Sequence, residues 1–192
     1  MLLTPRKKAK GMNVPTTGFL EALHAAGPDP ERAEILQLYG RFVGDWNADI
    51  IAHGSDGLHH RSSGEIHFGW VLEGRAIQDV WMIPRLSDRK HATPFPVAGD
   101  WYGTTLRIYD PTIRAWRIFW IDPATNTFRQ QIGRACGEDI VQEGTTESGA
   151  QSRWRFTRIT QSSFHWLGEA KSASDQDWRL VVEVLAQRRK SD

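Results

Sequence analysis

The spacing of apolar residues along the chain changes at Gly40. Before this glycine the apolar positions recur at helical spacing, with Asp29 as an N-cap and Pro30 at the first helical position, which predicts a helix over residues 30–40. A shorter helix is predicted over residues 16–23. Residues 17–41 therefore form an N-terminal helical segment. Residues 1–16 are basic and lack periodicity, and we expect a disordered arm there.

After Gly40 the helical period is replaced by apolar and aromatic runs of about five to ten residues, separated by turn residues. Asp110-Pro111 and Asp122-Pro123 are typical turn pairs, Glu73-Gly74 indicates a tight hairpin, and residues 84–100 are predicted to form the longest exposed loop. Short links between successive strands require antiparallel neighbours. About ten such strands close on themselves to remove their edges. The predicted fold is mainly β, an antiparallel up-and-down barrel over residues 42–189.

Alternation of apolar and polar residues assigns an inward face to most of the predicted strands. The apolar faces contain Trp46/Ala48/Ile50, Ile66/Phe68/Trp70, Trp154/Phe156, Phe164/Trp166 and Trp178/Leu180/Val182/Val184. Strands 75–83 and 115–121 are largely apolar on both faces, so their inward faces stay open. Such strands are typical of positions that are also covered outside, here by the helical segment or by a second subunit.

Composition narrows the classes of function. A net charge of +1 gives no general attraction to nucleic acid or anionic membranes. The single cysteine, Cys136, excludes an internal disulfide framework, and no apolar run reaches the roughly 18 residues of a membrane span. With no secretory leader pattern at the N-terminus, we expect a cytoplasmic protein.

The chain contains nine tryptophans, many of them on the predicted inward faces. An indole-lined cavity suits a small hydrophobic or aromatic molecule, or a cation bound through the ring faces. The alternative is a barrel filled solid by its own side chains. Thr104 and Gln142 are further polar candidates for the lining. The predicted ligand-binding positions are Trp46, Trp70, Gln78, Trp81, Tyr102, Trp116, Trp120, Gln130, Trp154, Trp166 and Trp178.

Asp79 and Tyr102 are the candidate catalytic residues. An inward Asp79 among apolar groups would be a proton donor or acceptor, whereas an outward Asp79 would pair with an arginine of a neighbouring strand. Arg107 and Arg129 also have two interpretations. They are either cross-strand charge partners or inward groups that bind a carboxylate ligand. No nucleotide-binding or nucleophile motif is present.

Three histidines, His53, His59 and His60, flank the first turn beside Asp56. Their spacing matches no established metal pattern, and solvated loop histidines explain them equally well, so no metal is predicted. Cys136 lies beside turn residues without a histidine near it in sequence, which gives no support for a nucleophile.

The order of helix, Gly44-Asp45-Trp46, and hairpins at Gly64-Glu65, Gly74-Arg75 and Tyr109-Asp110-Pro111 resembles the lipocalin-like (calycin) bacterial barrels of unknown function called DUF1579. The resemblance covers roughly residues 30–189 and implies a ten-stranded barrel with an internal cavity. Haem-binding nitrobindin-type barrels carry Gly-x-Trp-x-Gly-x-Gly, and here Ala48 and Ile50 replace the later glycines. The prediction is therefore a barrel without haem or another cofactor.

Three hypotheses of function follow. The first is binding of a small hydrophobic or aromatic molecule in a tryptophan-lined cavity. The second is a metal-independent enzyme, an isomerase, cyclase or hydrolase acting on an apolar substrate inside the barrel. The third is an interaction module whose two-sided apolar strands build a homodimer.

Overall fold

The computed structural model describes residues 17–89, 100–146, 149–172, 174 and 177–190. The helices are α1 (Thr17–Leu23) and α2 (Ala33–Gly40), with 3-10 turns at Pro30–Arg32 and Leu86–Asp88. The strands are β1 (His24–Ala25), β2 (Gly44–His53), β3 (His59–Val71), β4 (Ala76–Ile83), β5 (Trp101–Asp110), β6 (Ala115–Asp122), β7 (Thr127–Cys136), β8 (Asp139–Thr145), β9 (Gln151–Thr157), β10 (Ser163–Lys171) and β11 (Arg179–Arg188).

Strands β2 to β11 form a closed antiparallel barrel of ten strands. Each strand pairs with the next along the chain, and the last strand, β11, pairs with β2 to close the barrel. The two-residue strand β1 adds to β3 outside this ring. The predicted up-and-down lipocalin-like barrel with a short helical segment is confirmed. Because the ring is closed, each of its ten strands has a neighbouring strand on both sides.

Helix α2 fills one end of the barrel, called here the closed end. Its buried residues Leu36 and Tyr39 point into the barrel, and Phe42 follows them just beyond the helix. The ring of Phe42 stacks on Phe156 with 4.7 Å between centroids. The indole Nε1 of Trp46 donates a hydrogen bond of 2.7 Å to the carbonyl of Phe42. The Gly-x-Trp at the start of β2 thus joins the helix to the first barrel strand.

The inward faces of the two ambiguous strands are now defined. On β4 the inward residues are Ile77, Asp79, Trp81 and Ile83, and on β6 they are Trp116, Ile118 and Trp120. The outer face of this region is not covered by the helical segment, because α2 packs into the end of the barrel. The exposed apolar side chains on the outer faces of β5, β6 and β7 are Tyr102, Ile108, Ile121 and Phe128.

Some predicted segments differ from the structure or lie outside it. Gly64-Glu65 lies inside β3, so the hairpin expected there from the resemblance is absent. The strand begins at His59, because its polar first half pairs with the end of β2 although it has no apolar face. The predicted arm over residues 1–16 and residues 90–99 of the predicted loop lie outside the described residues. No helix within the described part of the chain is long and apolar enough to cross a membrane.

Arg188 holds the end of β11 against the junction between α2 and β2. Its guanidinium donates to the carbonyls of Val43 and Arg41 at 2.7 Å each, and its Nε donates to the carbonyl of Gln161 at 2.8 Å. The same guanidinium lies 4.2 Å from the centroid of the Trp46 ring. One side chain therefore satisfies three carbonyls and covers the indole at the closed end.

Replacing this arginine by a methionine of similar length is expected to destabilise the barrel. The Arg188→Met variant should lose about 2 kcal/mol of unfolding free energy, because three carbonyls lose their donor and regain only water. Urea unfolding measures the change. Arg179→Met is the matched control on the same strand, since Arg179 is exposed and has no hydrogen bond or ion pair among the described residues. Equal losses in the two variants would contradict the assignment.

Candidate ligand-binding site

The half of the barrel opposite α2 contains a cavity of about 300 Å³. Five tryptophans line it: Trp81, Trp101, Trp120, Trp154 and Trp166. Their rings form a continuous series of tilted and edge-to-face contacts, with centroids 5.3 Å apart for Trp81 and Trp166 and 6.2 Å apart for Trp120 and Trp154. The indoles come from five different strands, β4, β5, β6, β9 and β10, so the fold assembles a ring that no local segment contains.

Two glycines in the barrel wall make room for these indoles. A Cβ at Gly103 would lie 2.5 Å from the ring of Trp120, and a Cβ at Gly168 would lie 3.0 Å from the ring of Trp166. Both glycines face inward, and Gly103 is paired with Trp81 while Gly168 is paired with Trp154. Because a glycine on one strand lies beside a tryptophan on the next, neighbouring strands can place bulky rings at the same height in the barrel.

An ion pair between Asp79 and Arg107 forms the floor of the cavity. Nη1 of Arg107 donates to Oδ2 of Asp79 at 2.5 Å, and the backbone N–H of Thr105 donates to Oδ1 at 2.9 Å. Both charged side chains are at most 1% exposed. Beneath the pair, the guanidinium lies 5.1 Å from the centroid of the Tyr39 ring. The ion pair therefore separates the cavity from the aromatic packing of the closed end.

A neutral hydrogen bond lies below this floor. The hydroxyl of Tyr39 accepts a hydrogen bond of 2.9 Å from Nε2 of Gln142, and both side chains are fully buried. Burial raises the pKa of Tyr39 above its ordinary value, and this outweighs the lowering effects of Arg107 and the bond from Gln142. Tyr39 is thus a neutral phenol at neutral pH.

Several buried polar atoms at the cavity have no hydrogen-bond partner among the described residues. They are Nε1 of Trp81, Nε of Arg107 and Oε1 of Gln131, whose amide nitrogen donates to Ser152 at 3.2 Å. Trp81, Arg107 and Ser152 line the cavity. Buried polar groups are normally satisfied, so these atoms are exceptions within the barrel interior.

A second group of charges lies at the edge of the cavity, where Glu169 meets two arginines on the outer face of β9. The carboxylate of Glu169 accepts from the Nε atoms of Arg153 and Arg155 at 2.8 Å each. Burial opposes the charged form of Glu169, but the hydrogen bonds and charges of the two arginines prevail and hold its pKa below the ordinary value. Trp178 covers this cluster, with the guanidinium of Arg153 at 4.3 Å from its ring.

Of the predicted ligand-binding tryptophans, four line the cavity: Trp81, Trp120, Trp154 and Trp166. Trp46, Trp70 and Trp116 are buried in the core but are not part of the cavity wall. Trp178 lies against Arg153 because the register shifts by one residue between Gly168 and Glu169. This bulge pairs Leu180 with Glu169, which reverses the alternation towards Trp178.

The polar candidates Gln78, Tyr102 and Gln130 face outward, so the prediction that they belong to the lining is wrong. Gln78 donates to the hydroxyl of Thr104 at 2.9 Å on the outer face, Gln130 is exposed, and Tyr102 is 40% exposed beneath the guanidinium of Arg89. Their strands alternate in the opposite phase, with Asp79 and Arg107 inside. Gln142 does face inward, but it bonds Tyr39 below the floor.

The two interpretations of Asp79 are each correct in part. Its side chain points inward, so the outward orientation is wrong, yet it does pair with an arginine of the neighbouring strand. Both carboxylate oxygens are engaged below the cavity surface. Tyr102 lies outside the barrel. Neither candidate catalytic group therefore presents a free acid or base to the cavity.

Sequence reasoning missed Trp101, Thr105 and Ser152 as lining residues. Trp101 is the first residue of β5 after the long loop, so whether its side chain faces inward can be inferred only from the rest of that strand. The signal was the glycine at 103, which leaves space for an indole, together with Arg107 two pairs further along the same face. An inward arginine with a partner on β4 identifies this face only when the two strands are considered together.

The histidines near the first turn pair with a carboxylate. His53 Nε2 lies 3.0 Å from Oε1 of Glu183, and His165 Nε2 lies 2.8 Å from Oε2 of the same residue. His59 packs against the ring of His53, with centroids 4.6 Å apart. Among the described residues no group of three or more histidine, cysteine or acidic side chains has the arrangement of a metal site. Cys136 is exposed at the end of β7.

A second depression of about 810 Å³ lies outside the closed end. It runs between the start of α2 and the turn after β5, and exposed side chains such as Glu31, Glu34 and Pro111 form its wall. It lacks the buried, unpartnered polar atoms of the barrel cavity. We therefore assign the candidate site to the barrel interior.

The fold is that of lipocalin-like barrel proteins. The structure is similar to that of Rv2717c from M. tuberculosis, with a TM-score of 0.54 and 12% sequence identity over 85% of this chain and 99% of that chain. It is also similar to the S-type phycobiliprotein lyase CPES from Guillardia theta, with a TM-score of 0.55 and 13% identity over 86% of this chain and 100% of that chain. No protein-family model and no curated protein matches the sequence. At these identities the likeness concerns the fold alone.

The floor of the cavity gives a prediction about stability. Arg107→Met should lower the free energy of unfolding by about 3–5 kcal/mol, because it leaves the carboxylate of Asp79 buried without its counter-charge. The double variant Asp79→Leu with Arg107→Met should recover most of that loss, since an apolar pair leaves no buried charge. Chemical unfolding of the two variants and the wild type measures the difference.

The exposed pair Arg117 and Asp110 is the control for this prediction. Nε of Arg117 lies 2.7 Å from Oδ2 of Asp110 on the barrel surface, and Arg117→Met should change the free energy of unfolding by less than about 1 kcal/mol. A double variant at the floor that is no more stable than Arg107→Met would argue against a floor held by charge compensation.

The lowered pKa of Glu169 predicts how stability depends on pH. A carboxyl group whose pKa is lower in the folded state stabilises the protein above its unfolded pKa, and this contribution disappears as pH falls through the folded pKa. Glu169→Gln should therefore lose about 1–2 kcal/mol of unfolding free energy at neutral pH, after allowance for solvent screening. The difference from wild type should shrink below about pH 4.5. Unfolding curves at several pH values provide the measurement.

Glu138→Gln is the control for the effect of pH. Glu138 is exposed in the turn between β7 and β8 and has no hydrogen bond or ion pair among the described residues. A loss in Glu169→Gln that stays constant from neutral to acidic pH would exclude the ionised carboxylate as its cause.

Proposed function

We propose that this protein binds a small hydrophobic or aromatic molecule inside the barrel. The observation that carries the proposal is the ring of five indoles around a cavity of about 300 Å³. Such a volume lies at the lower end of the range for small-molecule sites, roughly 300–1,000 Å³, and suits a ligand with one or two fused rings. Indole faces and edges offer such a ligand stacked and edge-to-face contacts.

The packing of the interior supports a hollow site over a solid core. At the closed end, Leu36, Tyr39 and Phe42 fill the barrel, and Phe42 contacts Phe156 and Phe164 at 4.7 and 5.1 Å between centroids. Above the ion pair the indoles contact one another, and a cavity of about 300 Å³ remains among them. We therefore infer that the packed core occupies the closed end and that the indole-lined half holds the ligand.

An enzyme acting in this cavity would need an acid or a base, and neither candidate residue supplies one there. A metal-independent isomerase, cyclase or hydrolase would need a group in the cavity other than Asp79 or Tyr102, for the geometric reasons given above. One structure with the same fold is that of a phycobiliprotein lyase, so barrels of this shape include an enzyme. That likeness supports a fold that can host chemistry, and the residues of this cavity favour binding.

We also propose a family, an assembly and a location for this protein. Membership of the DUF1579 barrels, a cytoplasmic location and a homodimer all rest on the sequence pattern. For the homodimer, the exposed apolar residues on the outer faces of β5 to β7 are the surface that a second subunit would cover.

Binding in the cavity predicts a change in tryptophan fluorescence. Titration with neutral aromatic compounds, for example N-phenyl-1-naphthylamine and 2-naphthamide, should quench the indole emission in a saturable manner. Trp120→Ala should weaken binding roughly 3- to 10-fold, because the ligand loses an aromatic contact worth about 0.5–1.5 kcal/mol. Trp178→Ala should leave the affinity unchanged, because Trp178 lies outside the cavity against Arg153.

Circular dichroism and urea unfolding confirm that each variant is folded before titration. Absence of saturable quenching with every neutral compound would contradict the proposed function. Equal weakening by Trp120→Ala and Trp178→Ala would place the bound compound outside the indole ring.

A further inference from the structure

Two charged residues that line the cavity, Arg129 and Asp122, have no ion-pair partner among the described residues, whereas the other charges there are paired. Arg107 is neutralised by Asp79, and Glu169 is held by Arg153 and Arg155. Arg129 also lines the cavity, and it makes no hydrogen bond or ion pair with any described residue. A partly buried guanidinium has five N–H donors, so this cavity wall presents donors without acceptors.

Asp122 is the carboxylate that an incoming anion would have to avoid. It lines the cavity near the turn that connects β6 and β7, and its Oδ1 accepts a hydrogen bond of 2.8 Å from the backbone N–H of Ala124. This bond is that of an Asx turn, in which the carboxylate stabilises the backbone of the turn. Asp122 forms no ion pair within 4.0 Å of Arg129 or of another described cation.

The position of Arg129 next to an indole defines what it can bind. Arg129 pairs with Trp120 across β6 and β7, and Trp120 pairs with Thr105 across β5 and β6. All three side chains line the cavity. A planar ring that stacks among the indoles would therefore carry a substituent to the guanidinium. The guanidinium fork matches a carboxylate in a bidentate arrangement.

We propose that the ligand of this cavity is an aromatic carboxylate whose anionic group binds Arg129. The inference rests on the proposed function and adds the charge of the ligand and the residue that recognises it. The aromatic body lies among the five indoles.

The ring of indoles could instead bind a cationic ligand. Aromatic cages do bind quaternary ammonium groups through the ring faces. In this cavity, however, such a ligand would share the space with the unpaired guanidinium of Arg129. The carboxylates of Asp79 and Glu169 are bound by arginines, and that of Asp122 accepts from a turn amide. The guanidinium fork of Arg129 offers an anion parallel hydrogen bonds that a quaternary ammonium group cannot form, so we expect the anion to bind more tightly.

Three matched probes test the charge of the ligand: 2-naphthoate, 2-naphthamide and (2-naphthylmethyl)trimethylammonium. They share one aromatic body and differ in charge. Wild-type protein should bind 2-naphthoate at least about 10-fold more tightly than 2-naphthamide, because a hydrogen-bonded ionic contact is added. The ammonium compound should bind most weakly. Isothermal titration calorimetry gives the three affinities.

The variant Arg129→Gln tests the residue. It should weaken binding of 2-naphthoate roughly 10- to 100-fold and change binding of 2-naphthamide by less than about 2-fold. Arg129→Lys should restore part of the affinity for 2-naphthoate, because the charge returns without the planar fork. Arg134→Gln is the matched control on the same strand, since Arg134 is exposed and without a hydrogen bond or ion pair among the described residues. It should bind all three probes as wild type does.

The outcomes separate this inference from the proposed function. Equal affinities of wild-type protein for 2-naphthoate and 2-naphthamide, or tighter binding of the ammonium compound, would overturn the inference and leave the proposed function standing. Failure of all three probes to bind would overturn both. Where Arg129→Gln does not fold, the preference of wild-type protein for the anion and the decrease of that preference with added salt decide the question.

Discussion

The buried ion pair between Asp79 and Arg107 is the interaction on which the interior of this barrel depends. Two opposite charges at this depth are stable only because each is compensated, and the carboxylate also accepts the N–H of Thr105. The guanidinium then packs over the ring of Tyr39, so that its apolar faces belong to the core of the closed end. The pair is thereby a rigid partition. It ends the solid packing below and provides a polar surface to the cavity above.

The same ion pair explains which parts of the structure can be predicted from the sequence. Turn pairs such as Asp110-Pro111 and the alternation within single strands are local, so strand number, antiparallel order and closure follow from them. The faces of β4 and β5 are different, because an inward aspartate and an inward arginine make the buried face look polar. The sequence pattern consequently predicts an inward Tyr102. Only the pairing of β4 with β5 shows that the two charges meet, and pairing is not a property of either strand alone.

The bulge in β11 limits prediction in a second way. One extra residue, between the pairs of Gly168 with Val182 and of Glu169 with Leu180, reverses the alternation over the start of the strand. The pattern of Trp178, Leu180, Val182 and Val184 appears continuous in the sequence, although its first members belong to another face. Trp178 consequently covers Arg153 instead of the cavity. A period of two gives no indication of where it is interrupted, because the extra residue at the bulge, Val181, is apolar like its neighbours Leu180 and Val182.

The register of the barrel also connects the Asp79–Arg107 pair to Arg129, the cavity-lining arginine. Asp79 pairs with Thr105, Thr105 with Trp120, and Trp120 with Arg129, so these four inward residues form one row across neighbouring strands. Because barrel strands are staggered, such a row climbs from one end of the barrel towards the other. This row begins at a compensated carboxylate on the cavity floor and ends at the guanidinium of Arg129, which has no partner among the described residues, with an indole between them. A ligand lying along the row meets a polar floor, an aromatic wall and a positive charge in sequence, and a planar body with one terminal anionic group has that order of properties.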